Sequence, residues 1–125
     1  MNRIINSIFP FLAPYGDVDD RVRSIAHQMG LATVLWDRDS NDWKLESKSN
    51  KGELDPESVD NYFRQWIGDS QAGNDTLHGH IGLQHELNEV TIGLTEKWLP
   101  DLRETFNVKP VHECANIGKP YWELD

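Results

Sequence analysis

Cysteine is almost absent from this sequence, long apolar runs are missing, and positive charge is in short supply. A single cysteine, Cys114, cannot close a disulfide within the chain, so no disulfide framework holds the fold. No stretch approaches the roughly 20 consecutive apolar residues of a membrane-spanning helix. Twelve basic residues stand against 21 acidic ones, a formal net charge of -9, with no Lys/Arg cluster. Nucleic acid and anionic membrane surfaces both demand such a cluster and are excluded as main partners. The opening residues hold one arginine, an apolar run broken by Pro10 and no small-residue cleavage site, so they do not read as a signal peptide.

What is present is the composition of an ordinary globular chain, 125 residues with 38% hydrophobic and 26% charged. The length sets a ceiling of one domain.

Hydrophobic spacing predicts a helix from Asp17 to Met29, with Asp17 as cap, Val18, Val22, Ile25, Ala26 and Met29 on one face, and Gly30 as stop. Ala32 to Trp36 then reads as a buried strand. After a polar run to Lys51, Asp55-Pro56 gives an N-cap and a first-turn proline for a helix carrying Val59, Tyr62, Phe63 and Trp66 and ending near Gly68. Ile81, Leu83 and His85 alternate as in a strand. A last helix spans about Val90 to Phe106, kinked or divided at Pro100, before a strand at Val108 to Val111 and a coiled tail. With a short strand before Pro14 the order is β-α-β-α-β-α-β. The expectation is an α/β fold of about four mainly parallel strands alternating with three helices.

In such folds chemistry gathers where strands end. Those places hold Pro14-Tyr15-Gly16, the run Asp37 to Trp43, and His85-Glu86. His78 and His80 alternate and, together with His85, form a trial metal site. The loop character before Gly79 and the lack of a second histidine after His85-Glu86 speak against it, so no metal ligand is assigned. The acidic run Asp17, Asp19, Asp20 reads as decoration of a helix start, and Asp42 as a loop cap.

Three segments, PYGDVDDRVR, MGLATVLWDRDSNDW and IGLQHELNEVT, resemble in order the third, fourth and fifth motifs of the polysaccharide deacetylases (carbohydrate esterase family 4), above all fungal chitin deacetylases. The resemblance implies the C-terminal part of a distorted (β/α) barrel over residues 13–125. It also implies metal-dependent hydrolysis of N-acetyl groups on chitin or another GlcNAc polymer, at an extracellular or cell-wall location. By the same resemblance His85 matches the general acid and Asp39 the carboxylate that holds and tunes it. Trp43 and Leu83 match the pocket for the acetyl methyl group, and the Tyr15 backbone N–H an oxyanion donor. The family's cation, zinc or cobalt, is held by a Thr-Phe-Asp-Asp and a His-(Ser/Thr)-x-x-His motif that do not occur here, and Leu12 stands where the third motif has arginine. The expectation is therefore a marginally stable chain, inactive alone, with residues 1–12 foreign to the family and read as translated intron or upstream sequence. Cys114 is then half of a lost bridge or a buried free thiol. The alternatives are a non-catalytic carbohydrate-binding remnant using Trp43, Tyr15 and Trp36, and a gene-model fragment without independent function.

Overall fold

A computed structural model describes residues 9–45, 54–75 and 77–117. They divide into two compact units, one of the described residues 9–35 with 109–117, the other of the described residues between 36 and 108.

In the first unit β1 (Phe9–Leu12) pairs in parallel with β2 (Leu31–Val34), Phe9 opposite Leu31 and Leu12 opposite Val34. The strand expected before Pro14 is present, and it lies inside the segment read as foreign to the family. Between the two strands runs α1 (Asp20–Gln28). Asp19, not Asp17, caps it, its side chain accepting the N–H of Val22 at 2.8 Å. The cap must sit three residues before the amide it satisfies, and only Asp19 does. Gly30 ends the turn at φ 76, a left-handed conformation that glycine adopts without strain. The apolar face is weaker than expected: Ala26 is buried, whereas Ile25 and Met29 are exposed. β2 is half-buried along its length rather than buried.

The expected strand at Val108 to Val111 is not formed. Pro110 has no N–H to give a ladder, and it instead precedes the short helix α4 (Val111–Cys114). Cys114 is a free thiol, and it is exposed rather than buried.

The second unit has the better core. Asp55 accepts from the Ser58 N–H and hydroxyl, both at 2.8 Å, and opens α2 (Pro56–Gln71) with proline in the first turn, as expected. The helix passes Gly68 and stops only before Gly73, whose φ is 75. Glycine at negative φ weakens a helix by about 1 kcal/mol but does not end it. Asn88 caps α3 (Glu89–Thr105) in a capping box with Thr91. Pro100 lies within α3 without dividing it, because Pro100 and Glu96 are both exposed and water can satisfy the Glu96 carbonyl that the proline leaves unbonded.

Leu45, Val59, Phe63, Leu94 and Trp98 form the core of this unit. Phe63 stacks on Trp98 at 5.7 Å and meets Trp66 edge-on at 5.0 Å. Such pairs add about 0.5–1.5 kcal/mol beyond burial. The Trp98 indole N–H needs an acceptor once buried and finds Asp60 at 2.5 Å, while Lys97 reaches the other carboxylate oxygen at 2.6 Å. Desolvation would raise the Asp60 pKa, but these two donors outweigh it and hold the carboxyl below its ordinary value.

Beside this core β3 (Arg38–Asp39) pairs in parallel with β4 (Gly82–Leu83). Sequence patterning predicts no strand at β3 and a longer one at β4. The α/β class and parallel pairing hold, but the described strands form two separate two-stranded ladders rather than one four-stranded sheet. Residues 46–51 of the polar run and 118–125 of the tail lie outside the described residues. Among the described residues no helix is long and apolar enough to cross a membrane.

Candidate functional site

The short β3–β4 ladder positions the chemistry. The Ser40 N–H donates to the Leu83 carbonyl at 3.3 Å and the Ser40 hydroxyl donates to it at 3.0 Å, so β3 is tied to the end of β4 just where each chain leaves its strand. Asp39 turns back on its own backbone, accepting the Asn41 N–H at 2.8 Å. Asn41 then adopts φ 54, a left-handed conformation tolerated by asparagine. That reversal starts a single 3-10 turn, Asp42–Lys44, and carries the Asp42 side chain inward until it is 1% exposed.

Both oxygens of Asp42 are used by one residue. Oδ2 accepts the backbone N–H of His85 at 2.8 Å, and Oδ1 lies 2.8 Å from the His85 Nδ1. An ionised carboxylate only accepts, so Nδ1 carries the proton and Nε2 is left for other partners. The ring is one-third exposed while its anchor is buried, so the imidazole is held in direction and remains open to solvent. The carboxylate on His85 is thus Asp42, not Asp39. The sequence assignment fails because Asp39 satisfies a local turn, and only the left-handed Asn41 brings Asp42 under β4.

The other expected contacts are distributed as follows. Trp43, next to Asp42, is half-exposed, with the Lys44 ammonium 5.1 Å over its ring. Leu83 is partly buried in β4. Tyr15 belongs to the first unit, is fully exposed and holds φ 59, ψ 7, rare for a non-glycine residue and costing about 1–3 kcal/mol.

At the other end of the ladder, ahead of both strands, a second grouping escaped the sequence reading. Asp37 Oδ2 lies 2.5 Å from the His80 Nδ1, and Asp37 Oδ1 accepts the Ile81 N–H at 2.7 Å. The His80 Nε2 lies 2.8 Å from Asp75 Oδ2, and Asp75 is paired with Arg38. Desolvation would raise the pKa of Asp37, but the bonds from His80 and the Ile81 N–H dominate and lower it. His78 and His80 come together as alternation suggests, yet the third member of their group is Asp37 rather than His85. The signal available was the equal spacing of Asp37 to His80 and Asp42 to His85, which becomes meaningful only once β3 and β4 are known to pair.

A cation of the kind the resemblance implies finds no fit at His85, because among the described residues the one grouping of three donors stands at the opposite end of the ladder.

No family model matches the chain. Among curated proteins it is 34% identical over 111 residues to chitin deacetylase 2 of Cryptococcus neoformans var. grubii, covering 88% of this chain and 24% of that protein. It is 37% identical over 111 residues to the chitin deacetylase of Amylomyces rouxii, covering 88% and 25%. To chitin deacetylase 3 of Cryptococcus neoformans var. neoformans it is 42% identical over 113 residues, covering 90% and 25%. The chain spans about a quarter of the length of these relatives.

Proposed function

Because the chain is a homologue of the fungal chitin deacetylases along nearly nine-tenths of its length, we propose that it carries the acid side of an N-deacetylase site. The substrate of that site is a GlcNAc polymer such as chitin, and the products are free amine and acetate. The chain is then the C-terminal part of a distorted (β/α) barrel, acting outside the cell or in the wall.

The observation that carries this reading is the pair of hydrogen bonds that His85 donates to Asp42. A general acid must present its proton in a fixed direction to the leaving amine. Asp42 fixes both the backbone and the ring of His85 and leaves Nε2 free of this pairing on a ring one-third exposed. When His85 is protonated, Nε2–H is the proton delivered as the carbon–nitrogen bond breaks, and Asp42 steadies the charged ring. Trp43 offers an exposed aromatic face beside this pair, suited to a sugar ring or acetyl methyl group. Asp39 keeps the turn that delivers Asp42.

The divalent cation, zinc or cobalt in the reading from resemblance, would supply a Lewis acid and an activated water. The base and cation ligands of that reading do not occur in these residues, so the isolated chain is inactive while retaining sugar contacts.

Both halves are testable on the 125-residue chain. GlcNAc oligomers should shift the NMR signals of Trp43 and His85 while releasing no acetate. Unmoved signals would remove the substrate assignment, and chelator-sensitive acetate release would overturn the inactivity.

A further inference from the structure

The structure assigns a second chemistry to the chain: we infer that Asp37, His78 and His80 bind a divalent transition ion of borderline softness, of the zinc, cobalt or nickel type. One donor atom from each lies within 4.8 Å of those of the other two. Ligand atoms around a tetrahedral ion with bonds of about 2.0–2.1 Å stand roughly 3.3 Å apart, so Asp37 Oδ2 and His80 Nδ1, now 2.5 Å apart, open to that spacing as the ion displaces the Nδ1 proton to solvent, and side-chain shifts of about 1 Å bring His78 in. Two imidazoles and one carboxylate, with a fourth position open to water, suit such an ion better than calcium or magnesium, which prefer oxygen.

The surroundings support the donors. Asp37 is fixed by the Ile81 N–H through Oδ1, which leaves Oδ2 directed at the site. The Nδ1 of His78 lies 3.3 Å from the Gly79 carbonyl, and donation there selects Nε2 as the free lone pair. His78 meets His80 edge-on, ring centres 5.0 Å apart, although it is exposed and has no core to pack against. The His80 Nε2 is buried and makes no hydrogen bond among the described residues, although Asp75 Oδ2 is only 2.8 Å away. A small rotation of the ring as Nδ1 engages the ion brings that nitrogen into line with Asp75. The result is the carboxylate–histidine–metal arrangement common around such ions, with Arg38 neutralising the outer carboxylate. The ion would tie the loop after α2 to the start of β3.

The test is calorimetric titration of the chelator-stripped 125-residue chain with zinc chloride, repeated with cobalt to read four-coordination from its visible bands. Binding of one ion is expected, weakened at least about tenfold in His78→Ala and about tenfold in Asp75→Asn, and unchanged in His85→Ala. His78 is exposed and bonded only to its neighbour's carbonyl, so His78→Ala keeps its fold. Zinc should also shift the ring nitrogens of His78 and His80 but not of His85. Failure to bind, equal binding by His78→Ala, or equal weakening by His85→Ala each overturns the assignment.

Discussion

The β3–β4 ladder carries a histidine–aspartate pair at each end, and in both pairs the partners lie 43 residues apart. The burial is opposite. At the exit the carboxylate is buried and the ring partly open, Asp42 at 2% and His85 at 33% side-chain exposure. At the entrance the ring is covered and the carboxylate open, His80 at 14% and Asp37 at 48%. The same two residue types on the same backbone geometry therefore offer different reagents. A buried acceptor leaves the imidazole as the more exposed member of its pair, the one proposed above to hand over a proton, whereas a covered imidazole leaves the carboxylate more exposed, the one proposed to meet a cation.

The contrast breaks most visibly in stability. Asp42→Ala removes the acceptor of two donors from a buried position and should cost about 2–3 kcal/mol in urea denaturation, against about 0.5–1 kcal/mol for Asp37→Ala, which is half in solvent. Equal losses would erase the distinction.

Asp60 serves as a buried carboxylate without a histidine. Its folded pKa lies below the ordinary value of 3.8, so its ionic contribution is complete above that value and disappears as pH falls through the lower folded one. Asp60→Asn should cost about 1–2 kcal/mol near neutrality and flatten the loss of stability below about pH 4. A variant that keeps the parent's acid profile would show that Lys97 and Trp98 do not depend on the charge.

A smaller effect sharpens the exit pair. Nitrogen NMR of neutral His85 should show the Nδ1–H tautomer in the parent and a mixture in Asp42→Asn, whose amide can also donate to the ring. An unchanged tautomer would place its control elsewhere. Smallest of all, Trp43→Ala should change stability by no more than about 0.5 kcal/mol, as an exposed side chain does, while weakening the binding of GlcNAc oligomers. Unweakened binding would remove Trp43 from the sugar contacts.

What was legible in the sequence was what local chemistry decides. Asp55-Pro56 opens α2 and Gly30 ends α1, because caps and positive φ act over three or four residues. The core residues Val59, Phe63, Leu94 and Trp98 follow from helical spacing. The resemblance to the fungal chitin deacetylases was also legible, and relatives matched along nearly nine-tenths of the chain agree with it. The misreadings all concern partners distant in sequence or competition between neighbours. Asp39 and Asp42 are chemically equivalent on paper, and only the positive φ of Asn41 separates them. Val108 to Val111 has the β-branched look of a strand, yet Pro110 makes it a helix start. Asp37 and His80 meet only through a two-residue strand that no pattern can reveal.

The equal spacing of the two pairs has a consequence for fidelity. A slip of β4 by one residue against β3 would part His80 from Asp37 and His85 from Asp42 in the same movement. The ladder itself is too short to enforce alignment, so the pairs act like the two pins of a hinge plate. Either alone limits sliding, and both together leave a single alignment, so the residues proposed for chemistry also proofread the assembly that positions them.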